Sequence, residues 1–493
     1  MLLSELAATL GLPAPAGADP EVTGITHNSA WVTPGDAFVA VRGTSMDGHS
    51  FADDAARRGA VAILGTGAPE GFASELPYLE VANDRVALAD GAAALMGHPS
   101  RELAVLGVTG TDGKTTTTSL ARHVLRATGR ATGMLSTVGY ELPDGELRQF
   151  PEHLTTPEAP QVQALLREMV DAGAEVVVLE ASSHAIALER VRGVEWDVAI
   201  WTNLTGDHLN FHGSMEAYFA EKRRLVEAAP FAVLNQEDPW AQQLAGVAAG
   251  ETTYSIDGAE AEWQAGEIRE TPAGIEFTLH SPQGVFPVFL PMVGRFNVAN
   301  TLAALAGTHR LGVGVAEAVE ALRSFPGVPG RMQVIQPTDQ VQVVVDFAHT
   351  APALEKAITA LRRVAPGEVW VVIGAAGGNR DASKRAPLGA TATQFADQVV
   401  FTEEDYRDTP LEEILAEMER GATEAGRSNF RTIPDRVEAI GYCVDTAPAG
   451  TMILLAGKGP EDFMTRGDRM DPWDEAAVAA EAVAARSARA AQE

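Results

Sequence analysis

Gly110-Thr111-Asp112-Gly113-Lys114-Thr115-Thr116 decides the fold of this chain. The apolar run Leu103–Val108 before it reads as a buried strand, and Thr117–Ala127 after it reads as a helix stopped by Gly129. A glycine-rich turn between strand and helix aims backbone N–H groups and a helix N-terminus at an anion. Lys114 can then reach the outer phosphates of a nucleotide, and the Thr115 hydroxyl can hold Mg²⁺. The usual phosphate-loop pattern has a further glycine six positions before the lysine, and here Val108 stands there. What remains is the tighter Gly-x-x-Gly-Lys-Thr, in the strand–turn–helix order that a nucleotide triphosphate needs.

Working outward, the 493 residues are 46% hydrophobic. At roughly 150 residues per domain, three domains are expected, each able to bury a core. A single cysteine, Cys443, rules out a disulfide framework and fits a reducing cytoplasm. No apolar run approaches the roughly 20 residues of a transmembrane helix, and the start MLLSELAATLGLPAPAG lacks the basic region of a signal peptide. Membrane insertion is therefore not expected. Lys and Arg total 37 against 67 Asp and Glu, a formal charge of −30. That sign argues against general nucleic-acid binding. Any anionic substrate must be met by locally clustered Lys and Arg.

Three segments follow: 1–101, 102–330 and 331–493. The first holds short strands such as Ala60–Leu64 and Tyr78–Val81. The second continues from the phosphate loop with apolar runs Glu175–Leu179, Val198–Asn203 and Phe231–Leu234, alternating with helical stretches such as Val162–Ala172. This alternation predicts an α/β fold with a mainly parallel sheet. Pro326–Gly330 reads as a linker. The third segment offers strands Val341–Val345, Val369–Ile373, Gln398–Phe401 and Met452–Leu455, each running into a polar loop, and an Ala-rich terminal helix after Trp473. Ligands of open α/β sheets bind outside the carboxyl ends of the strands, so those loops form a second ligand surface.

Several residues carry chemistry. Glu180 leaves a strand tip, where a carboxylate suits Mg²⁺ or is simply solvated. His208, in Thr202–His208, is a metal ligand, a base or a hydrogen-bonded loop residue. Lys222 lies on the apolar stripe Met215, Tyr218, Phe219, Leu225 and Val226 of the helix predicted over Ser214–Ala228. An inward lysine is costly unless paired or modified; the alternative is snorkelling to the surface. Asn297 and Asn300 open another helix, either capping it or offering amides to a base or ribose. Arg331, after the Pro/Gly segment, is a phosphate contact or a surface residue.

The ordered set GTDGKTTTT (110–118), LEASSHA (179–185), TNLTGDHLNFHG (202–213) with Lys222 downstream, FNVAN (296–300), GRM (330–332), VDFAHT (345–350) and GKGPED (457–462) resembles the Mur ligases, ATP-dependent amide-bond-forming enzymes of peptidoglycan synthesis. The likeness spans most of the chain. It is nearest to the members that add the third peptide residue to UDP-MurNAc-L-Ala-D-Glu. Thr26–Phe38, Asp47-Gly48-His49 and His153–Pro157 resemble their uridine-nucleotide segments. Two positions depart: Asn28-Ser29-Ala30 stands where the family usually has Asp-Ser-Arg, and Leu188 where it often has Gln.

The resemblance implies a uridine-nucleotide-binding α/β domain, a central ATPase domain and a C-terminal Rossmann-like domain in a cytoplasmic monomer. It implies ATP contacts by Gly110, Thr111, Gly113, Lys114, Thr115, Thr116, Asn297, Arg331 and Asp346. It implies UDP-substrate contacts by Ser29, His49, Thr155, Thr156, Ser182 and Arg190. Two Mg²⁺ sites are implied, with Thr115, Glu180, His208 and Lys222 as ligands, Lys222 as a CO₂-derived carbamate. Lys114, Glu180, His208, Lys222 and Arg331 are the implied catalytic set. ATP would activate the D-Glu γ-carboxylate as an acyl phosphate, which the amine of a diamino acid then attacks. Arg380, Glu404, Asp405, Arg407, Gly457 and Glu461 would bind that amino acid. Enzymes adding meso-diaminopimelate usually carry Asp-Asn-Pro-Arg where this chain has Glu404-Asp405-Tyr406-Arg407, and Pro460 replaces a histidine between Gly457 and Glu461. The extra acids favour L-ornithine or L-lysine, with meso-diaminopimelate the close alternative. Rival readings are a ligase adding D-Ala-D-Ala, a folylpolyglutamate-synthetase-like ligase and a non-catalytic nucleotide switch. The first hundred residues, the Arg407 and Gly457–Glu461 loops and the Lys222 constellation each weigh against one of them.

Overall fold

A computed structural model describes residues 1–490 except 16, 44–45, 69–74, 151–153, 336–340 and 379–381. His153 and Arg380 thus lie outside the described residues. The chain forms two compact units, Met1–Gln264 with Asn300–Ala318, and Ala265–Ala299 with Val319–Glu493.

The first unit opens with α1 (Leu3–Thr9), β1 (Gly24–Thr26), β2 (Asp36–Ala40), α2 (Ala52–Arg58), β3 (Ala62–Gly65), β4 (Tyr78–Glu80) and α3 (Asp84–Leu95). Its strands pair in parallel in the order β1-β2-β3-β4. Leu3, Leu6, Val39, Leu64 and Leu88 pack on one face, Phe38, Ala55 and Ile63 on the other. Asn83 caps α3 by accepting from the Arg85 and Val86 amides.

The larger sheet of this unit holds β5 (Ala104–Thr109), β6 (Thr132–Ser136), β7 (Gly139–Glu141), β8 (Leu147–Arg148), β9 (Val176–Glu180), β10 (Val198–Trp201), β11 (Phe231–Asn235) and β12 (Gly250–Ser255). Around it lie α4 (Lys114–Ala127), α5 (Ala159–Asp171), α6 (Ser183–Ala187), α7 (Leu209–His212) and α8 (Met215–Ala228). The order is β12-β11-β10-β5-β9-β6-β7-β8, parallel as far as β6 and antiparallel beyond. Val177, Leu179, Ala199, Trp201, Leu225 and Val226 share one core. The register sets Val108 beside Glu180 and Thr109 beside Trp201. The loops after β5, β9 and β10 therefore leave the sheet at one edge.

Several boundaries shift from the sequence reading, and two of the shifts bear on the phosphate loop. The helix α4 begins at Lys114 rather than Thr117, because Gly113 at φ +83° forms its N-cap. The run of β-branched threonines is a weak helix former, but burial of Thr115–Thr118 overrides that preference. The strand β10 ends at Trp201 rather than Asn203, because Thr202 and Asn203 turn to hydrogen-bond the phosphate loop.

Beyond β12, Trp263 and Gln264 pair with Tyr254 and Ser255 and open β13 (Trp263–Thr271). In the second unit β13 continues into β14 (Gly274–Ser281) and β15 (Gly284–Leu290), an antiparallel hairpin in which β15 ends the ladder. Thr271–Gly274 and Ser281–Gly284 make its turns. The sequence reading, tuned to βα alternation, passed over this period-2 segment. The helices α9 (Phe296–Arg310) and α10 (Val315–Leu322) follow.

The second unit's main sheet contains β16 (Gln333–Ile335), β17 (Val341–Asp346), β18 (Val369–Ile373), β19 (Gln398–Phe401), β20 (Phe430–Thr432) and β21 (Thr451–Ala456), ordered β16-β17-β21-β18-β19-β20. All pair in parallel except β16. The helices α11 (Ala351–Val364), α12 (Arg385–Phe395), α13 (Leu411–Glu424) and α14 (Arg436–Thr446), the hairpin β22 (Phe463–Arg466) and β23 (Arg469–Pro472), and α15 (Glu475–Ala490) complete it. Val344, Val371 and Leu454 enter one core, and Val343, Val372, Leu455 and Cys443 the other. Burial on both faces is what a parallel sheet requires. The four predicted strands are present, and Asp346, Ile373 and Ala456 align at one edge. Within Pro326–Gly330, read as a linker, Val328 is fully buried and bridges to Arg331.

Candidate active site

The phosphate loop is built by steric exclusion and hydrogen bonds. Gly110 has φ +143°, and a Cβ there would stand 1.9 Å from Thr202 Oγ1. A Cβ on Gly113 would stand 2.3 Å from Asn300 Oδ1. Only glycine fits at both positions. The loop backbone is held by Asn203, whose carbonyl accepts from Thr111 N at 2.8 Å and whose Oδ1 accepts from Asp112 N at 3.0 Å. Lys114 Nζ folds back to the Thr111 carbonyl at 2.8 Å. Thr116 is buried in the first turn of α4.

Glu180 sits at the tip of β9, buried and wrapped by hydroxyls. Thr115 Oγ1 donates to Oε1 at 3.2 Å, and the Thr137 amide donates to Oε2 at 3.0 Å. Thr137 Oγ1 lies 3.1 Å from both carboxylate oxygens and 3.2 Å from Thr155 Oγ1. The sequence reading missed Thr137. The signal was present: it follows β6, on the edge where the other strands deliver functional loops.

Lys222 is inward, as its place on the apolar stripe requires. It is 1% exposed, and its Nζ donates to the Gly110 carbonyl at 2.6 Å. Burial, and then the charge of Lys114, hold its pKa well below that of an ordinary lysine. Its ammonium form is thus disfavoured by burial at the back of the phosphate loop. Tyr218, one turn earlier on α8, lies 4.9 Å beneath it and places its hydroxyl 3.2 Å from Thr111 Oγ1.

His208 is half-exposed at φ +53°, with Nε2 3.3 Å from Asp207 Oδ2. Its ring meets His184 edge-on at 4.6 Å. Burial, followed by the charges of His208 and His212, pushes His184 down to about 4. Among the described residues no three His, Cys, Asp or Glu side chains converge on a metal position. Thr115 and Glu180 do meet, and both are hard oxygen donors of the kind Mg²⁺ prefers. The residues present therefore fit Mg²⁺ supplemented by phosphate oxygens.

On the same unit, Thr156 Oγ1 donates to the Glu180 carbonyl at 2.8 Å, and Ser182 caps α6. Arg190 donates to the Thr156 carbonyl at 3.2 Å and pairs with Glu158 at 2.8 Å, while its buried Nε has no hydrogen-bond partner among the described residues. Arg85 is a further cation beside Glu158, at 3.6 Å. Ser29 is half-buried in a short 3₁₀ turn. His49 is buried, with Asp47 at 2.7 Å on one ring nitrogen and Tyr78 at 3.0 Å on the other.

The second unit gathers its own polar residues. Asp346 accepts from the Met332 and Ala348 amides, each at 2.9 Å. Arg331 stacks over Phe347 at 4.8 Å, and its buried Nε has no hydrogen bond among the described residues. Asn297 donates to the Val293 carbonyl at 2.8 Å. The loop after β19 enters a buried ionic network. Arg466 holds Glu403 at 2.5 and 2.8 Å. Lys458, fully buried, reaches Asp405 at 2.9 Å and Glu461 at 2.7 Å. Arg407, at φ +53°, donates to the Gly377 carbonyl at 3.3 Å and lies 3.7 Å from Asp405. Gly457 packs under Glu404. Arg436 is buried among Glu475 and the carbonyls of Glu403 and Ala456. Neither Lys458 nor Arg436 was singled out from the sequence.

Comparisons with known proteins agree along the whole chain. The Mur ligase middle domain matches residues 108–308. The Mur ligase glutamate ligase domain matches 330–459, and the Mur ligase family catalytic domain 21–102. The UDP-N-acetylmuramyl-tripeptide synthetase of Deinococcus radiodurans is 60% identical over 99% of this chain and 100% of its own. The UDP-N-acetylmuramoyl-L-alanyl-D-glutamate–2,6-diaminopimelate ligase of Geobacillus thermodenitrificans is 40% identical over 95% and 96%. A solved structure of a ligase of that same description superposes with a TM-score of 0.71 at 29% identity, covering 99% and 100%.

Proposed function

The chain belongs to the Mur ligase family, and we propose how its residues share that family's reaction. It is an ATP-dependent ligase that adds the third residue in peptidoglycan synthesis. The acceptor is UDP-MurNAc-L-Ala-D-Glu, and the enzyme works in the cytoplasm, where ATP is supplied. The D-Glu γ-carboxylate attacks the γ-phosphorus. A new O–P bond forms, the bond to the bridging oxygen breaks, and ADP leaves. The neutral α-amine of the incoming amino acid then attacks the acyl carbon. The C–O bond to phosphate breaks, inorganic phosphate departs, and the amine proton passes to water.

Phosphoryl transfer is catalysed chiefly by positioning and charge neutralisation. The loop amides and Lys114 take the phosphates, and Arg331, Asn297 and Asp346 are assigned to the nucleotide. Mg²⁺, when bound, neutralises phosphate charge, held by Thr115, Glu180, His208 and Lys222. A neutral Lys222 amine can attack CO₂: an N–C bond forms, one C=O electron pair moves to oxygen, and a proton is released. The carbamate presents oxygens where an ammonium would repel the metal. Ser29, His49, Thr155, Thr156, Ser182 and Arg190 are assigned to the UDP substrate, and the Glu404–Arg407 and Gly457–Glu461 loops to the amino acid.

The observation that carries this reading is the buried Lys222 amine 2.6 Å from the phosphate-loop carbonyl of Gly110. The test is ADP release measured with and without the muramoyl dipeptide and an amino acid. Release should require both, and Lys114→Ala should abolish it while the circular dichroism spectrum stays native. Near-normal turnover in a folded Lys114→Ala protein would overturn the nucleotide assignment.

A further inference from the structure

The residues that shape the phosphate loop are themselves held by others. Thr202 Oγ1 donates to the Asp112 carbonyl at 2.7 Å and to the Thr109 carbonyl at 3.2 Å. It also fills the space that a Cβ on Gly110 would take. Asn203 binds the Thr111 and Asp112 amides. The shape of the loop thus depends on how the Thr202–Asn203 peptide is turned.

That peptide is fixed by two buried side chains. Asn235, at the end of β11, donates from Nδ2 to the Thr202 carbonyl at 2.7 Å. The Tyr254 hydroxyl, on β12, donates to the same carbonyl at 3.3 Å and to the Trp201 carbonyl at 3.1 Å. The two residues are partners in the β11–β12 register, 8% and 1% exposed. Asn235 Oδ1 accepts from the Glu237 amide at 3.0 Å, which leaves Nδ2 as the end turned to Thr202. Burial holds the Tyr254 phenol well above its ordinary pKa, and Asp238 and Glu237 add to the rise. The hydroxyl therefore keeps its proton and stays a donor. One donor satisfies a carbonyl, which has two lone pairs. Two donors converging on it from neighbouring strands restrict how the peptide can turn.

We propose that Asn235 and Tyr254 are positioning residues for ATP: they lock the Thr202–Asn203 peptide, so that the phosphate loop stands in its nucleotide-binding shape before the nucleotide arrives. This rests on the assignment of residues 110–116 to ATP. Both side chains act through Thr202. Preorganisation removes part of the ordering cost of binding. Loosening this one peptide therefore weakens nucleotide affinity and leaves the contacts to the other two substrates in place.

The test is binding of a fluorescent ATP analogue with Mg²⁺, together with kcat and the KM of each substrate, on the full chain and its variants. Tyr254→Phe removes one hydroxyl and keeps the ring. Asn235→Ala removes the shorter bond. Each should raise Kd and KM for ATP about three- to tenfold, as loss of a hydrogen bond does, with kcat and the other two KM values kept within about twofold. Hydrogen exchange without nucleotide should show the Thr111 and Asp112 amides protected in the wild type and less protected in Tyr254→Phe. Trp201→Phe is the control for softening alone. It removes the Nε1 bond to Asp238, at 2.5 Å, from the same strand. It should lower thermal stability and keep ATP affinity. Unchanged ATP affinity in either folded variant would overturn the proposal, and so would an equal loss in Trp201→Phe. Should the variants fail to fold, the wild type decides: Thr111 and Asp112 amides that exchange as fast as an open chain would overturn it too. A wild type that binds no ATP would instead defeat the nucleotide reading beneath it.

Discussion

Lys222 stands out as an anomaly in the sequence itself. Periodicity alone places a charged residue on an apolar stripe, and the fold seals it there. Its function is not legible from spacing, because an inward lysine has several fates. The decisive facts are non-local: the Gly110 carbonyl lies 112 residues away in sequence, and burial, followed by the charge of Lys114, lowers its proton affinity. The same holds for Thr137, which holds Glu180 across a separation of 43 residues. Lys222→Ala should reduce turnover by about 10² or more, as loss of a charge-stabilising group does. A small carboxylic acid added to the assay should restore part of it by supplying the missing anion. The measurement is kcat with and without the acid. Full activity of a folded Lys222→Ala protein would exclude the carbamate role, as would a mass spectrum and electron-density map showing a bare ammonium in active enzyme.

Elements with βα periodicity were read closely, and those stabilised by tertiary contacts were not. The strand β18 spans the predicted residues, whereas α4 starts three residues early because packing outweighs the low helix preference of threonine. The buried ionic tie between α14 and α15 left no local signal at all. Arg436 at the start of α14 is 0% exposed and grips Glu475 at the start of α15 at 2.6 and 3.0 Å. Trp473 Nε1 donates to the same carboxylate at 2.7 Å. Removing the guanidinium leaves Glu475 buried and unpaired. Arg436→Ala should therefore cost about 3–5 kcal/mol of stability, read as a lower midpoint in urea unfolding. Loss of α15 from hydrogen-exchange protection should accompany it. A change under about 1 kcal/mol would mean that the tie is not needed.

At the scale of the molecule, the sequence conveyed an α/β chain with two sheet edges that carry polar loops, because parallel strands deliver their loops to one side. It did not convey the β13–β15 segment. The uridine-nucleotide role given to the first hundred residues is best tested by a point change. Those residues are tied into the first unit, for example through Arg192 and Asp90 at 2.8 Å, and a truncation would expose that surface. Ser29→Trp should weaken binding of the UDP-muramoyl dipeptide at least about tenfold, a loss of roughly 1.4 kcal/mol, while ATP affinity is kept. Equal affinity for the dipeptide by calorimetry would argue against the assignment. The hairpin has a different bearing, on how copies of the chain keep apart. The strand β15, Gly284-Val285-Phe286-Pro287-Val288-Phe289-Leu290, is apolar, and its Val285 is 60% exposed. As the last strand of its ladder it presents a row of backbone groups to any passing β-strand. Pro287 lacks an N–H and interrupts that row. Pro287→Thr should leave turnover intact but make the concentrated protein self-associate, seen as a rising scattering mass. A variant that stays monodisperse would show that the proline is not what guards the edge.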